Sequence, residues 1–334
     1  MIPLTDSFNR VHDYLRVSLT DKCNLKCIYC APIYTAVKKL NSKQILSYEE
    51  LLRLIAIFVR DLGFKKIRLT GGEPFVREGS FDFVNSLSAL KNTFPFQLSV
   101  TTNGTLIHGK LAHLKAAGID SLNISLDSLS DKKIEAITGV AVLPDIVSSI
   151  EEAIEAGYQK LKINVVIIRN VNDDELSDFV DFAIKYDVNI RFIEFMPFTA
   201  NGWSQESFMS YKEMKNIIEQ KYKLIPLDND NLKIAKDYQI SSKPGLISFI
   251  SSMSEHFCSG CSRLRITAEG IMKLCLFSQA GENFNLKDML RDDSVSDSDI
   301  AASIRQNMQY KKQEHPDMQT LMSFEKNIMT SIGG

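Results

Sequence analysis

Six short, β-rich apolar runs alternate with amphipathic helical patterns over the first two thirds of this chain, and that alternation leaves few folds open. The runs are residues 14–19, 66–69, 98–101, 121–126, 162–168 and 189–195. Between the first two, Ser47 and Glu50 form a capping-box pattern ahead of Leu51, Leu54, Ile55 and Phe58 at helical spacing, with Gly63 placed for a C-terminal cap. Further helices are predicted over residues 106–117, 145–156 and 173–185, the first two closed by Gly118 and Gly157. Such alternation implies an α/β fold with a parallel sheet and right-handed crossovers. Six units are too few for a closed eight-stranded barrel, so an open partial barrel or a doubly wound sheet is expected. In both, ligands gather at the C-terminal ends of the strands. Residues 20–30, Gly71-Gly72-Glu73-Pro74, Thr101-Thr102-Asn103-Gly104, Ser125, Asp127 and Met196 all fall there.

Near residue 200 the pattern changes. A helix over residues 211–222 leads to a strand-rich stretch at 246–250, 263–267 and 272–277, with a turn at Glu269-Gly270, and a polar helix from 297 to 309 follows. Two units are expected, 1–200 and 201–334.

All six cysteines fall into two triplets, Cys23, Cys27 and Cys30 as C-x3-C-x2-C, and Cys258, Cys261 and Cys275 as C-x2-C-x13-C. Disulfides consume thiols in pairs, and a closed zinc site takes four ligands. Three thiolates on a four-iron cube leave one iron open to a small molecule. Two [4Fe-4S] clusters, each with an open iron, is therefore the leading expectation. Zinc stays open for the second triplet, because His256 lies two residues before Cys258 and can supply a nitrogen ligand. The histidines otherwise show no grouping.

Net charge is −2, from 39 Lys and Arg against 41 Asp and Glu, so nothing global favours duplex nucleic acid or an anionic membrane. The first residues carry no apolar core of a secretory signal, and no apolar run reaches membrane-spanning length. A reducing, cytoplasmic setting is expected, where unpaired thiols serve metals. An anionic substrate must then be held by local cations. Arg263 and Arg265 alternate along an extended segment, which puts both on one face with Cys261. Taken alone, that alternation also fits a solvated strand face. Arg16, Arg68 and Lys162 sit among apolar neighbours in strands one, two and five. Pointing inward they would require a ligand, while pointing outward they would lie under helices.

The C-x3-C-x2-C loop after the first strand, with Gly71-Gly72-Glu73-Pro after the second, resembles the radical S-adenosylmethionine superfamily. The resemblance implies that S-adenosylmethionine chelates the open iron of the first cluster and is cleaved to a 5′-deoxyadenosyl radical. It places Tyr29 near the adenine, with Gly72, Ser125 and Met196 as further cofactor contacts. The glycines of that segment allow a ligand close to the backbone. Within the superfamily, more motifs are similar to the GTP 3′,8-cyclase family of molybdenum-cofactor biosynthesis: Tyr14-Leu-Arg-Val-Ser-Leu-Thr-Asp-Lys-Cys, Ile67-Arg-Leu-Thr-Gly-Gly-Glu-Pro, Arg191-Phe-Ile-Glu-Phe-Met, Asn201-Gly-Trp, Cys258-Ser-Gly-Cys-Ser-Arg-Leu-Arg, Cys275-Leu-Phe and Ile332-Gly-Gly. This implies a partial (βα)6 barrel of the TIM type closed by a C-terminal α+β domain with an auxiliary cluster. It implies conversion of GTP to (8S)-3′,8-cyclo-7,8-dihydroguanosine 5′-triphosphate by hydrogen removal at C3′ and attack on C8. Guanine would sit on the second cluster, and Arg16, Arg68, Thr101, Lys162, Arg263, Leu264 and Arg265 would hold GTP. Arg16 and the terminal Gly333 and Gly334 would complete the catalytic set, the glycines reaching into the cavity. The same resemblance implies a flavodoxin- or ferredoxin-type electron donor and a downstream cyclic pyranopterin monophosphate synthase, and allows a homodimer. The chain departs from the family at Ala31, where Met is usual, and at Ser262, where Asn is common. A radical enzyme that modifies a peptide, or a metal-binding protein without activity, are the alternatives; the arginine set and the terminal glycines speak for a nucleotide.

Overall fold

The structure, a computed structural model, describes residues 3–30, 39–198, 201–227, 234–278, 282–324 and 328–333. The six expected strands form as β1 (Tyr14–Ser18), β2 (Lys66–Thr70), β3 (Gln97–Thr102), β4 (Ser121–Ser125), β5 (Leu161–Ile167) and β6 (Asn189–Glu194). Each pairs in parallel with the next in chain order. Helices α1 (Tyr48–Arg60), α2 (Ser80–Thr93), α3 (Leu111–Ala116), α4 (Asp131–Thr138), α5 (Leu143–Glu155) and α6 (Leu176–Tyr186) lie among these strands in the chain. The capping box at the start of α1 forms as predicted: Glu50 N donates to Ser47 Oγ at 3.1 Å, and Ser47 N donates to Glu50 Oε2 at 2.6 Å.

The sheet does not stop at residue 200. Strands β7 (Leu224–Pro226), β8 (Lys236–Ile240), β9 (Leu246–Ile250), β10 (Arg263–Ile266), β11 (Ile271–Lys273) and β12 (Asn283–Asn285) extend it at both edges. The order is β12-β11-β10-β1-β2-β3-β4-β5-β6-β9-β8-β7. Strand β9 pairs in parallel with β6, and β10 in parallel with β1. Eight consecutive strands, β10 through β9, therefore run parallel, two of them supplied by the C-terminal third. The expected hairpin is present as the antiparallel β10–β11 pair.

Predicted and observed helices differ where tertiary contacts decide the matter. The helix expected from residue 106 begins at Leu111, because Gly109 takes a φ of 75° and Glu152 of α5 accepts from the backbone of Gly109 and Leu111. Helix α2 lacks a strong apolar stripe and starts behind Gly79 in the left-handed region, so periodicity did not reveal it. Helix α4 is too short for its period to stand out.

The core lies outside the sheet. On β5 the alternation is strict: Leu161, Ile163, Val165 and Ile167 are buried on the helix side, while Lys162, Asn164 and Val166 face the other way. Large aromatics such as Phe58, Phe179, Phe192 and Phe249 fill the outer layer, each worth about 1.5–3 kcal/mol on burial. Packing is satisfied on that side, and the inner face carries polar and charged residues among a few apolar ones such as Val166 and Ile193.

Candidate functional site

The loop bearing the first triplet is fixed by backbone contacts rather than by its cysteines. Lys26 N donates to Thr138 O and Ile28 N to Ile137 O, which docks the loop on the end of α4. On the other side, Gly72 N donates to Thr20 O at 2.7 Å and Glu73 N to Lys22 O at 2.8 Å. A Cβ on Gly72 would stand 2.3 Å from the Lys22 carbonyl oxygen, and one on Gly71 would stand 2.8 Å from that of Thr20. Glycine is required here because the cysteine loop passes so close. This contact adds a structural reason to the expected room for a ligand, and both Gly71 and Gly72 line the cavity. Glu73 is fully buried and accepts from Thr102 Oγ1 at 2.8 Å and from Asn103 N at 2.7 Å. Burial pushes its carboxyl up to about 7.

Asp127, at the end of β4, holds Tyr29. The Tyr29 hydroxyl donates to Asp127 Oδ2 at 2.6 Å, and Val166 N donates to Oδ1 at 2.8 Å. Burial raises Asp127 to about 6. The sequence marks Asp127 as a strand-end residue, and the structure gives it this partner.

Both cysteine triplets line one cavity of about 540 Å³. Tyr29, Gly72, Ser125 and Met196 line that cavity, as do Arg16, Arg68, Thr101, Lys162, Arg263 and Arg265. The register makes a rung of three arginines, Arg265 beside Arg16 on β10 and β1, and Arg16 beside Arg68 on β1 and β2. The next rung carries Arg263, Tyr14 and Lys66. Arg191 on β6 joins them beside Asn164 of β5. Lys66, Arg191, Tyr14 and Asn164 carry no role in the sequence reading; the apolar strand neighbours that single out Lys162 also surround Arg191. Leu264 is the exception among the expected contacts. Its side chain is buried in the core on the face opposite Arg263 and Arg265, leaving only its backbone to meet a ligand.

This wall is short of negative charge. Burial, and then Arg265, pull Arg16 well below its ordinary value. Burial with neighbouring arginines brings Arg191 and Arg265 down to about 10. Lys162 falls to about 8, from burial first and Arg191 second. Burial alone would raise Tyr14, yet Arg68, Arg16 and Arg263 outweigh it and pull the phenol down to about 7. Arg68 Nε donates to the Tyr14 hydroxyl at 2.5 Å. The Nε of Arg191 and of Arg263, and Oδ1 of Asn123 and Asn164, are buried without a hydrogen-bond partner among the described residues. Buried cations crowded in this way, with unmet donors and acceptors, fit a polyanion.

The chain end enters the same region. A short helix, Met329–Ile332, leads to Gly333, whose φ is 74°. Arg265 Nη1 donates to Gly333 O at 3.2 Å, and a Cβ there would meet Ser18 Cβ at 2.8 Å and Thr70 Oγ1 at 2.9 Å. Gly334 and Ala31 lie outside the described residues.

All six thiols are free. Burial raises those of Cys23, Cys27, Cys30, Cys258 and Cys275, Cys30 to about 12. Thiols buried so close together ionise only with compensating positive charge, which a metal cluster provides. Among the described residues no group of three or more His, Cys, Asp or Glu side chains is placed to hold a metal ion. His256 meets Glu314 Oε2 at 3.3 Å.

Comparison with known proteins matches residues 17–183 to the radical SAM superfamily and residues 188–317 to a family described as Molybdenum Cofactor Synthesis C. The GTP 3′,8-cyclase of Arabidopsis thaliana, described as mitochondrial, is 42% identical over 99% of this chain and 83% of its own length. The GTP 3′,8-cyclase of Thermodesulfovibrio yellowstonii is 41% identical over 93% of this chain and 95% of its own. Molybdenum cofactor biosynthesis protein 1 of Drosophila melanogaster is 43% identical over 94% of this chain, which spans 55% of that longer relative. Among solved structures, Streptococcus suis SuiB bound to S-adenosylmethionine shares the fold, with a TM-score of 0.59 and 14% identity over 97% of this chain and 77% of its own.

Proposed function

The chain belongs to the radical S-adenosylmethionine superfamily and, within it, to the GTP 3′,8-cyclases of molybdenum-cofactor biosynthesis, and from that premise we propose how its cavity divides its ligands. As a member it is an enzyme that converts GTP to the 3′,8-cyclised nucleotide, the first step of that biosynthesis. Membership brings an iron–sulfur cluster and S-adenosylmethionine. The proposal adds a second cluster: Cys23, Cys27 and Cys30 hold the first, and Cys258, Cys261 and Cys275 the second. When bound, the first cluster and S-adenosylmethionine supply a 5′-deoxyadenosyl radical, the acceptor for the hydrogen on C3′ of GTP.

The chain's own residues do the rest. Tyr29, oriented by Asp127, carries the cofactor's adenine, with Gly72, Ser125 and Met196 around it. Arg16, Arg68, Arg263 and Arg265, with Lys162, Lys66 and Arg191, offer a triphosphate the charge that this wall lacks. Thr101 contributes a hydroxyl. Guanine is thereby directed to the second triplet, and C3′ is kept in the space between the two thiol groups. The enclosure excludes water and competing hydrogen donors. The observation that carries this reading is the desolvated cationic wall standing between the two triplets in one cavity. It disfavours a peptide substrate, which brings no comparable density of negative charge. A flavodoxin- or ferredoxin-type donor, a cyclic pyranopterin monophosphate synthase acting on the product, a homodimer and a cytoplasmic setting complete the proposal. No helix among the described residues is long and apolar enough to cross a membrane.

The test is GTP binding to anaerobic protein. Replacing Arg263 or Arg265 with Ala should weaken binding by about 1–3 kcal/mol, roughly five- to 150-fold, as for loss of a charge-assisted contact. The parent's affinity should also fall as pH rises: Tyr14 gains negative charge above about 7, and Lys162 loses positive charge above about 8. Both changes weaken the field that a triphosphate meets. Unaltered binding in the arginine variants, or affinity that climbs with pH, would contradict the assignment.

A further inference from the structure

The second cysteine triplet lies on two pieces of backbone, the turn that carries Cys258 and Cys261 and the segment that carries Cys275, and two cations from elsewhere in the chain tie those pieces together. Cys258 opens the short turn Cys258–Gly260, Cys261 leads into β10, and Cys275 follows β11. Lys311 is only 4% exposed. Its Nζ donates to the carbonyl of Arg263 at 3.2 Å and to that of Leu274. One amine therefore joins the segment just after Cys261 to the residue just before Cys275. Arg10, beyond the far end of β1, donates from Nη1 to the carbonyl of Cys258 at 2.7 Å. The same guanidinium donates to the carbonyls of Gln313 and Lys312, both at 2.6 Å, which binds the Cys258 turn to the Lys311 segment. Asp6 fixes Arg10 through Nε at 2.6 Å and meets His12 Nε2 at 3.0 Å. An N-terminal stretch that would ordinarily fray is thus anchored onto the thiol site.

The partners of Lys311 are unusual for a buried amine. Both are carbonyl oxygens, and Lys311 lines one pocket together with Cys258, Cys261 and Cys275. A buried cation is costly unless an anion faces it, and a cluster held by three thiolates is an anion.

We propose that Lys311, assisted by Arg10, is the positioning residue of the second cluster: it locks the two thiol-bearing segments together, and its fixed charge favours the cluster's more negative, reduced state. The inference rests on the two-cluster reading above. Charges and hydrogen bonds around a cluster set its potential, and a nearby cation raises it.

The experiment uses the full-length chain, anaerobically reconstituted, in a Cys27→Ala background so that the reduced-cluster spectrum comes from the second site alone. Lys311→Met keeps the length of the side chain and removes its charge. At fixed potential the ratio of reduced to oxidised cluster should fall at least tenfold, equivalent to about 59 mV for one electron. Arg10→Gln, near the surface, should shift the ratio in the same direction by a smaller factor. Should Lys311→Met lose the second cluster while the same change in the otherwise native chain keeps the first cluster's iron, the locking role stands, and Arg10→Gln then decides the charge effect. A second cluster retained with the parent's potential in both variants overturns the inference alone. A parent protein that binds no iron at Cys258, Cys261 and Cys275 overturns the two-cluster reading and the inference with it.

Discussion

Replacing Cys27 with Ala should leave a folded protein with half the parent's iron and no cleavage of S-adenosylmethionine. Two four-iron clusters give about eight irons and eight sulfides in the parent, and about four of each in the variant. Folding should survive because the loop does not depend on the thiol. Its backbone is pinned to α4 through Lys26 and Ile28, and to β2 through the close approach of Gly71 and Gly72. Cleavage should not survive, since two thiolates leave the cube under-ligated at the site where the cofactor binds. Anaerobic iron and sulfide analysis, with assay of 5′-deoxyadenosine, checks both halves. Residual cleavage at the parent's rate, or loss of all iron, would contradict the assignment of this triplet to an independent catalytic cluster.

Replacing Gly333 with Ala, or deleting residues 333 and 334, should keep both clusters, the fold and most GTP affinity, yet nearly abolish the cyclised nucleotide. At a φ of 74°, a side chain costs about 1–2 kcal/mol in backbone strain alone. Crowding against Ser18 and Thr70 is added to that strain, and both neighbours are held in parallel strands that do not yield cheaply. The tail is then expected to withdraw and release the Gly333 carbonyl from Arg265. A group that acts after binding changes turnover more than affinity. The informative readout is cyclised nucleotide formed per 5′-deoxyadenosine, which should collapse while GTP binding falls little. Ser331→Ala, at an exposed position on the same short helix, should match the parent. A truncated chain that cyclises GTP normally would make the last residues dispensable.

The parts legible in the sequence were those that short-range chemistry decides. Period-two placement put Arg263 and Arg265 on one face, and the two alternatives stated for Arg16, Arg68 and Lys162 are resolved inward by the register of β1, β2 and β5. The Ser47–Glu50 capping box likewise needs only neighbouring residues. Pairing across long loops was not legible. Leu246–Ile250 and Arg263–Ile266 read as a separate strand-rich piece, because nothing local in them says that they lie parallel to β6 and β1. Their burial against those partners is what makes eight parallel strands from six βα units. The cation wall was half seen for a related reason: Lys66 stands at the start of its strand, and Arg191 was noted only within a motif. The link between Tyr29 and Asp127 joins residues 98 apart in the chain and leaves no trace in spacing. The entry of the tail came from resemblance, and Gly333 in its left-handed conformation between Ser18 and Thr70 gives that expectation a geometric basis.

The central claim is that one cavity brings C3′ of GTP to the radical supplied at the first triplet. GTP carrying deuterium at C3′, incubated anaerobically with the reconstituted protein, reductant and S-adenosylmethionine, tests it most directly. The account predicts that 5′-deoxyadenosine acquires the deuterium and that the cyclised nucleotide forms in equal amount. Unlabelled 5′-deoxyadenosine, produced at the same rate with and without GTP, would contradict it.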